Sequence, residues 1–153
     1  MTPPLQILVD GDACPVKEEV YKVAWRMEIP VILVANSYLR IPDHPLISRV
    51  VVGSEMDAAD DHIAELSNER SLVVTADILL ADRCIKAGAT VLSPTGKPFT
   101  ASSIGAAVAT RAIMADLPAG GENVGSNPPF SKADRSRFLS AMDTELVRLR
   151  RVG

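Results

Sequence analysis

The sequence predicts an α/β fold: one domain spanning residues 1–153, built in three layers (α/β/α) around a central, mainly parallel five-stranded sheet. Three observations predict it. Short segments that are apolar throughout, such as VILVA (31–35) and SLVVTA (71–76), recur along the chain. Between them lie longer segments whose apolar residues keep helical spacing. A strand apolar on both sides belongs in a sheet covered on both faces, which is how parallel sheets are built. Finally, 153 residues with 47% hydrophobic content suffice for one proper core, and neither a repeat nor a second domain is visible.

The elements follow in order. Residues 5–10 make the first strand, carried by Leu5, Ile7, Leu8 and Val9. Pro15 suits the first turn of a helix in which Val16, Val20, Val23 and Met27 share a face, and Pro30 stops that helix. VILVA (31–35) is the second strand. Residues 36–47, with Asn, Asp, His and two prolines, form a loop, and RVVV (49–52) is the third strand. Gly53-Ser54 opens a helix over 55–68, with Met56, Ala59, Ile63 and Leu66 as its buried stripe. SLVVTA (71–76) is the fourth strand. A helix over 78–87 ends at Gly88, and a fifth strand covers 90–92. A helix covers 101–116. Residues 118–130, rich in Gly, Pro and Asn, form a flexible loop. A C-terminal helix over 131–150 starts with Ser131 as N-cap and Asp134 three residues on, and Phe138, Met142 and Leu149 dock it.

Composition removes several classes of function. A net charge of −3 and a pI near 5.4 argue against bulk wrapping by nucleic acid, though a local basic strip remains open. No apolar run reaches the roughly 18 residues that a membrane-crossing helix needs. The start, MTPPLQ, lacks a basic region followed by an apolar stretch, so no signal peptide is expected. Cys14 and Cys84 form no pattern, which fits a reducing cytoplasm. With only His44 and His62, a His-rich zinc site is not expected. Aromatic content of 4% leaves few platforms for stacking bases.

The acids carry the functional signal. In open α/β sheets the working crevice lies beyond the carboxyl ends of the strands, where strand order reverses. Asp10 and Asp12 fall at the end of the first strand, Asp57 and Asp60 near the start of the following acidic helix, and Asp77 directly after the fourth strand. Each has a plainer reading. Asp12 and Asp77 suit helix capping, Asp57 lies three residues after Ser54 as in a capping box, and Asp60 and Asp61 suit a solvated face. Asp82 is either half-buried beside Asp77 or solvated. Taken together, three acidic groups converging on one crevice predict a metal site formed by Asp10, Asp12, Asp57, Asp60 and Asp77. Like charges gathered this closely call for a cation, and hard cations such as Mg²⁺ or Mn²⁺ take oxygen ligands. Such ions clamp the attacking and leaving oxygens in phosphodiester cleavage. Lys17, a cation near a helix N-terminus, faces the aspartates or solvent, and Arg135 with the start of the last helix suits a phosphate; both are candidate substrate-binding residues. Cys14 reads as a buried structural thiol.

The segments DGDACPVK (10–17), MDAADDHI (56–63), VVTADILLA (73–81), GATVLSPTG (88–96) and PPFSKADRSRF (128–138) closely resemble the bacterial YaiI/YqxD family over nearly the whole chain. That family in turn resembles the PIN-like and NYN nuclease domains, which share a helix-flanked parallel sheet and a Mg²⁺- or Mn²⁺-binding cluster of acids that cleaves RNA. The resemblance implies a PIN-like fold, an RNA partner, and catalytic acids at Asp10, Asp57 and Asp77. Asp12 falls where many NYN domains have Asn.

Two other functions are open. ILVDGDAC (7–14) also fits the start of haloacid-dehalogenase-like phosphatases, with Asp10 as nucleophile, Asp12 as acid-base, Asp77 and Asp82 as the later acids and Ser37 as the hydroxyl. Those enzymes need a hairpin after the second Asp, where Pro15 here starts a helix. The other is a non-catalytic RNA-binding protein that keeps a degenerate metal site.

Overall fold

A computed structural model of the protein describes residues 3–53, 55, 57–115 and 130–152. In chain order the described elements are β1 (Gln6–Asp10), a 3₁₀ turn (Gly11–Ala13), α1 (Lys17–Met27), β2 (Val31–Ala35), β3 (Ile47–Val51), α2 (Ala58–Leu66), β4 (Ser71–Val74), α3 (Ile78–Lys86), β5 (Thr90–Leu92), β6 (Pro98–Phe99), α4 (Ala101–Ala115) and α5 (Lys132–Val152). The strands form one sheet in the order β3-β2-β1-β4-β5-β6. The first five run parallel, and β6 pairs antiparallel with β5. The α/β class and mainly parallel sheet therefore match the sequence, with one added strand. That strand is only two residues long and starts with a proline, so it carries no periodic signal.

Alternation along each strand sends neighbouring side chains to opposite faces. Ile7, Val9, Leu33 and Val74 join the core beneath α1 and α5, together with Phe138, Met142, Leu146 and Leu149. Leu8, Val34, Val73 and Val91 join the core beneath α2, α3 and α4, with Ile63, Leu80 and Ile104. Both faces are covered, which is why β1 and β4 read as unbroken apolar runs.

Several boundaries move for local reasons. α1 stops at Met27, before Pro30, because Glu28 turns left-handed (φ 56°) and its N–H caps the Ala24 and Trp25 carbonyls. α2 starts at Ala58, three residues later than expected; Ser54 and Met56 lie outside the described residues, as does the loop over 118–130 apart from Phe130. The expected capping box on α5 is present. The Asp134 N–H donates to Ser131 Oγ at 3.1 Å, and the Ser131 N–H donates to Asp134 Oδ2 at 3.0 Å. The turn between β5 and β6 passes so close to α5 that a Cβ on Gly96 would lie 2.8 Å from the Arg137 backbone, and Gly96 also has φ +89°. Among the described residues no helix is long and apolar enough to cross a membrane.

Candidate metal centre at the carboxyl edge of the sheet

From β1 the chain first builds outward through β2 to β3, then returns to the other side of β1 for β4. Strand order thus reverses between β1 and β4, and a crevice is expected beyond their carboxyl ends. Asp10 is the last residue of β1, and Thr75 follows β4 directly. Thr75 Oγ1 donates to Asp10 Oδ2 at 3.0 Å and accepts the Asp77 N–H at 3.0 Å. Thr75 is only 2% exposed, so this hydroxyl has no alternative partner in water. Asp77 caps α3: its Oδ1 accepts the N–H groups of Leu79 at 2.9 Å and Leu80 at 3.2 Å. The capping reading of Asp77 is therefore correct as far as it goes, and it holds one oxygen in place beside Asp10.

Electrostatics link the acids. Burial raises the Asp10 carboxyl above the usual range, the Thr75 hydrogen bond opposes this, and Asp12 and Asp77 raise it further. Burial also raises Asp60, helped by the charges of Asp77, Asp10 and Asp57 and opposed by Arg83, to about 6. Asp60, from the first turn of α2, thus shares one field with acids from β1 and the start of α3. Asp57 precedes α2 with a left-handed backbone (φ 65°) and makes no side-chain cap. A non-glycine residue in this conformation costs of order 1–3 kcal/mol. Its carboxylate is exposed at the helix N-terminus and makes no hydrogen bond among the described residues.

The remaining candidates are placed differently. Asp12 holds the loop after β2: its Oδ2 accepts the Asn36 N–H at 2.8 Å, its Oδ1 accepts Ser37 Oγ at 3.4 Å, and Asn36 Nδ2 donates to the Gly53 carbonyl at 2.9 Å. Lys17 Nζ donates to the Cys14 carbonyl at 3.2 Å. Arg135 spans to the start of α1, donating to the Pro15 carbonyl at 2.8 Å and Glu19 Oε1 at 3.2 Å, with its guanidinium 4.9 Å from the Phe130 ring centroid. These contacts join α5 to α1. Asp61 pairs with Arg83 at 2.8 Å and Asp82 with Lys86 at 3.0 Å. Cys14 is buried and its thiol is pushed up to about 11 by that burial, so it stays protonated and unreactive.

Thr75 and Asn36 also belong to the site, and neither stands out in the sequence. The available signal for Thr75 was a hydroxyl residue ending an apolar strand two positions before an Asp, a spacing suited to a local hydroxyl–backbone bond. For Asn36, nothing in the sequence pointed to Asp12.

Among the described residues no three Asp, Glu, His or Cys side chains are arranged to hold a metal ion as they stand. The donors are nonetheless carboxylate and hydroxyl oxygens throughout, which is the chemistry of a hard divalent cation. Asp10 and Asp60 are both raised in part by acidic neighbours, a repulsion that a cation would relieve. The residues therefore fit such an ion in kind and charge.

A family model described as "Uncharacterized BCR, YaiI/YqxD family" matches residues 8–148. Curated relatives carry the name UPF0178 protein. The chain is 70% identical to one from Sphingopyxis alaskensis over 146 residues, covering 95% of each chain. It is 62% identical to one from a Jannaschia species, covering 94% of each. It is 58% identical to one from Rhodopseudomonas palustris, covering 95% of this chain and 92% of that one.

Proposed function

The chain belongs to the YaiI/YqxD family, and from its site we propose that it is a metal-dependent nuclease that cleaves RNA phosphodiester bonds in the cytoplasm. The observation that carries this reading is the shared field of Asp10, Asp57, Asp60 and Asp77 at the strand-order reversal. Those four carboxylates, with the charge of Asp12 behind them, would hold Mg²⁺ or Mn²⁺. The ion, when bound, supplies a Lewis acid for a phosphoryl oxygen and a more acidic water. The chain's own residues do the positioning. Thr75 fixes the rotamer of Asp10, the first turn of α3 fixes Asp77, and Asp12 keeps the loop at 36–37 against the crevice. The two free cysteines, both buried, suit a reducing compartment.

The phosphatase alternative receives less support. After Asp12 the chain completes a 3₁₀ turn and enters α1 at Lys17, which leaves no hairpin. The test is cleavage of single-stranded and structured RNA by the purified protein with Mg²⁺ or Mn²⁺. Cleavage that EDTA stops and Asp10→Asn abolishes supports the nuclease. A covalent phosphate on Asp10 without RNA cleavage would favour the phosphatase. RNA binding with neither chemistry would favour the non-catalytic binder.

A further inference from the structure

We propose that Tyr38, backed by Arg49, is a stacking platform for an unpaired nucleobase at the rim of the acidic crevice, so that the substrate is a single strand and not a duplex. The inference rests on the nuclease reading and deepens it.

Tyr38 is 69% exposed, far more than any other large hydrophobic side chain among the described residues. Its ring is not loose. The Arg49 guanidinium lies 4.0 Å from the ring centroid, and Arg49 Nη1 itself donates to the Leu39 carbonyl at 3.2 Å. Arg49 belongs to the edge strand β3, so one side of the ring rests on a rigid element. Trp25, the other exposed large aromatic at 40%, is already occupied: it lies against Tyr21 (6.3 Å between centroids) and His44 (5.5 Å).

Position ties Tyr38 to the chemistry. The preceding residue, Ser37, donates to Asp12, and Asn36 is fixed to Asp12 through its N–H. A base on Tyr38 would therefore sit one residue along the chain from the hydroxyl that bonds Asp12. Charge also fits. A phosphate chain approaching five carboxylates needs positive charge at the rim; Arg49 lies against Tyr38, and the exposed Arg40 follows two residues along the chain. Among the described residues neither is paired with a carboxylate. A cation behind an aromatic ring, with a base in front, is a stacking arrangement seen in sequence-tolerant single-strand binding. Duplex bases are already stacked inside the helix and would have to be flipped out to reach the ring.

The test is fluorescence anisotropy in EDTA at low salt, using a labelled oligouridine of about eight nucleotides, within the usual range for single-strand sites. A blunt RNA duplex of equal length is the comparison. Wild type is expected to bind the single strand more tightly than the duplex. Tyr38→Ala is expected to weaken single-strand binding roughly 5- to 150-fold, the range for loss of one stacked base. Tyr38→Phe, which keeps the ring, is expected to retain most of the affinity. Equal binding by wild type and Tyr38→Ala, no preference over the duplex, or a wild type that binds neither probe would each overturn the platform. The two readings separate cleanly. Lost binding in Tyr38→Ala with a wild type that cleaves no RNA keeps the platform and removes the nuclease. Metal-dependent cleavage with unchanged binding by Tyr38→Ala does the reverse.

Discussion

The Thr75 hydroxyl donates to Asp10 Oδ2 at 3.0 Å across the seam between β4 and β1. It also accepts the Asp77 N–H, so one buried hydroxyl sets two acids that are 67 positions apart in sequence. Thr75→Val keeps the shape of the side chain but removes both bonds. It leaves the Asp77 N–H and one oxygen of a half-buried carboxylate without partners. A loss of about 1–3 kcal/mol is expected, measured as a lower urea midpoint with an unchanged m-value. The same variant is expected to raise the Asp10 pKa further, because the one contact that lowers it is gone.

Asp10→Asn removes one charge from the cluster at nearly constant size. With no metal present, its melting temperature is expected to rise, because burial, and after it the charges of Asp12 and Asp77, penalise the charged form of Asp10. Wild type with Mn²⁺ at 100 times its dissociation constant should gain about 2.7 kcal/mol. For a chain of this size that is roughly 5–10 °C. The variant should lose most of that gain. A wild type that ignores Mn²⁺, together with a destabilised Asp10→Asn, would leave Asp10 as a structural acceptor only.

Asp77 has two roles that substitution can separate. Asn caps a helix about as well as Asp, whereas Ala costs about 1 kcal/mol at such a position. Asp77→Asn is therefore expected to melt within a few degrees of wild type but to lose the Mn²⁺ response and RNA cleavage. Asp77→Ala should lose these and stability as well. Retention of the Mn²⁺ response by Asp77→Asn would reduce Asp77 to a cap.

Asp60 gives the metal-free protein an acid-side signature. Its carboxyl titrates at about 6 when folded, against 3.8 for an ordinary Asp. Between those values the folded state holds a proton that the unfolded chain has released, so stability falls as pH rises through the window. The penalty is complete above about pH 6 and absent below about pH 4. Asp10, raised as well, acts in the same sense, whereas Asp134, lowered by its bonds to Ser131, acts in the opposite sense. The informative quantity is the difference between variants. Asp60→Asn should stabilise relative to wild type at pH 7 and lose that advantage near pH 4. A constant difference across the window would mean that neither burial nor the neighbouring acids raise the Asp60 carboxyl.

The strands were legible because β1, β2, β4 and β5 are buried on both sides, and only apolar residues satisfy that. Phe138 and Met142 were legible as docking residues because helical spacing survives even on a helix that is polar elsewhere. The positions of Asp10 at the end of β1 and Asp77 just after β4 were legible because each follows an unbroken apolar run. The rest depends on contacts that no local pattern encodes. Arg135 stands out in sequence as a cation at the start of the last helix, but its bonds to Glu19 and the Pro15 carbonyl, over 100 residues away, have no local signature. Asp12 looks equivalent to Asp10 in sequence, but the direction of the 3₁₀ turn sends it to Asn36. The left-handed backbone of Asp57 was not signalled either, since Asp is not the residue that such a conformation normally selects.

The position of α5 has a consequence for how the protein is made. Arg26 pairs with Asp143 and Arg150 with the Met27 carbonyl, links of 117 and 123 residues. Ile7, Val9 and Leu33 therefore leave the ribosome long before Phe138, Met142 and Leu146 exist to cover them. At about 5–20 residues per second, the interval between Leu33 and Phe138 is roughly 5–20 s. Late in that interval a nascent chain has α2, α3 and α4 to cover one face of its sheet but only α1 on the other, whose apolar residues wait for α5. A chain stalled before residue 138 would keep that face only half-covered and should be a substrate for chaperones and proteases, however well its first five strands have paired.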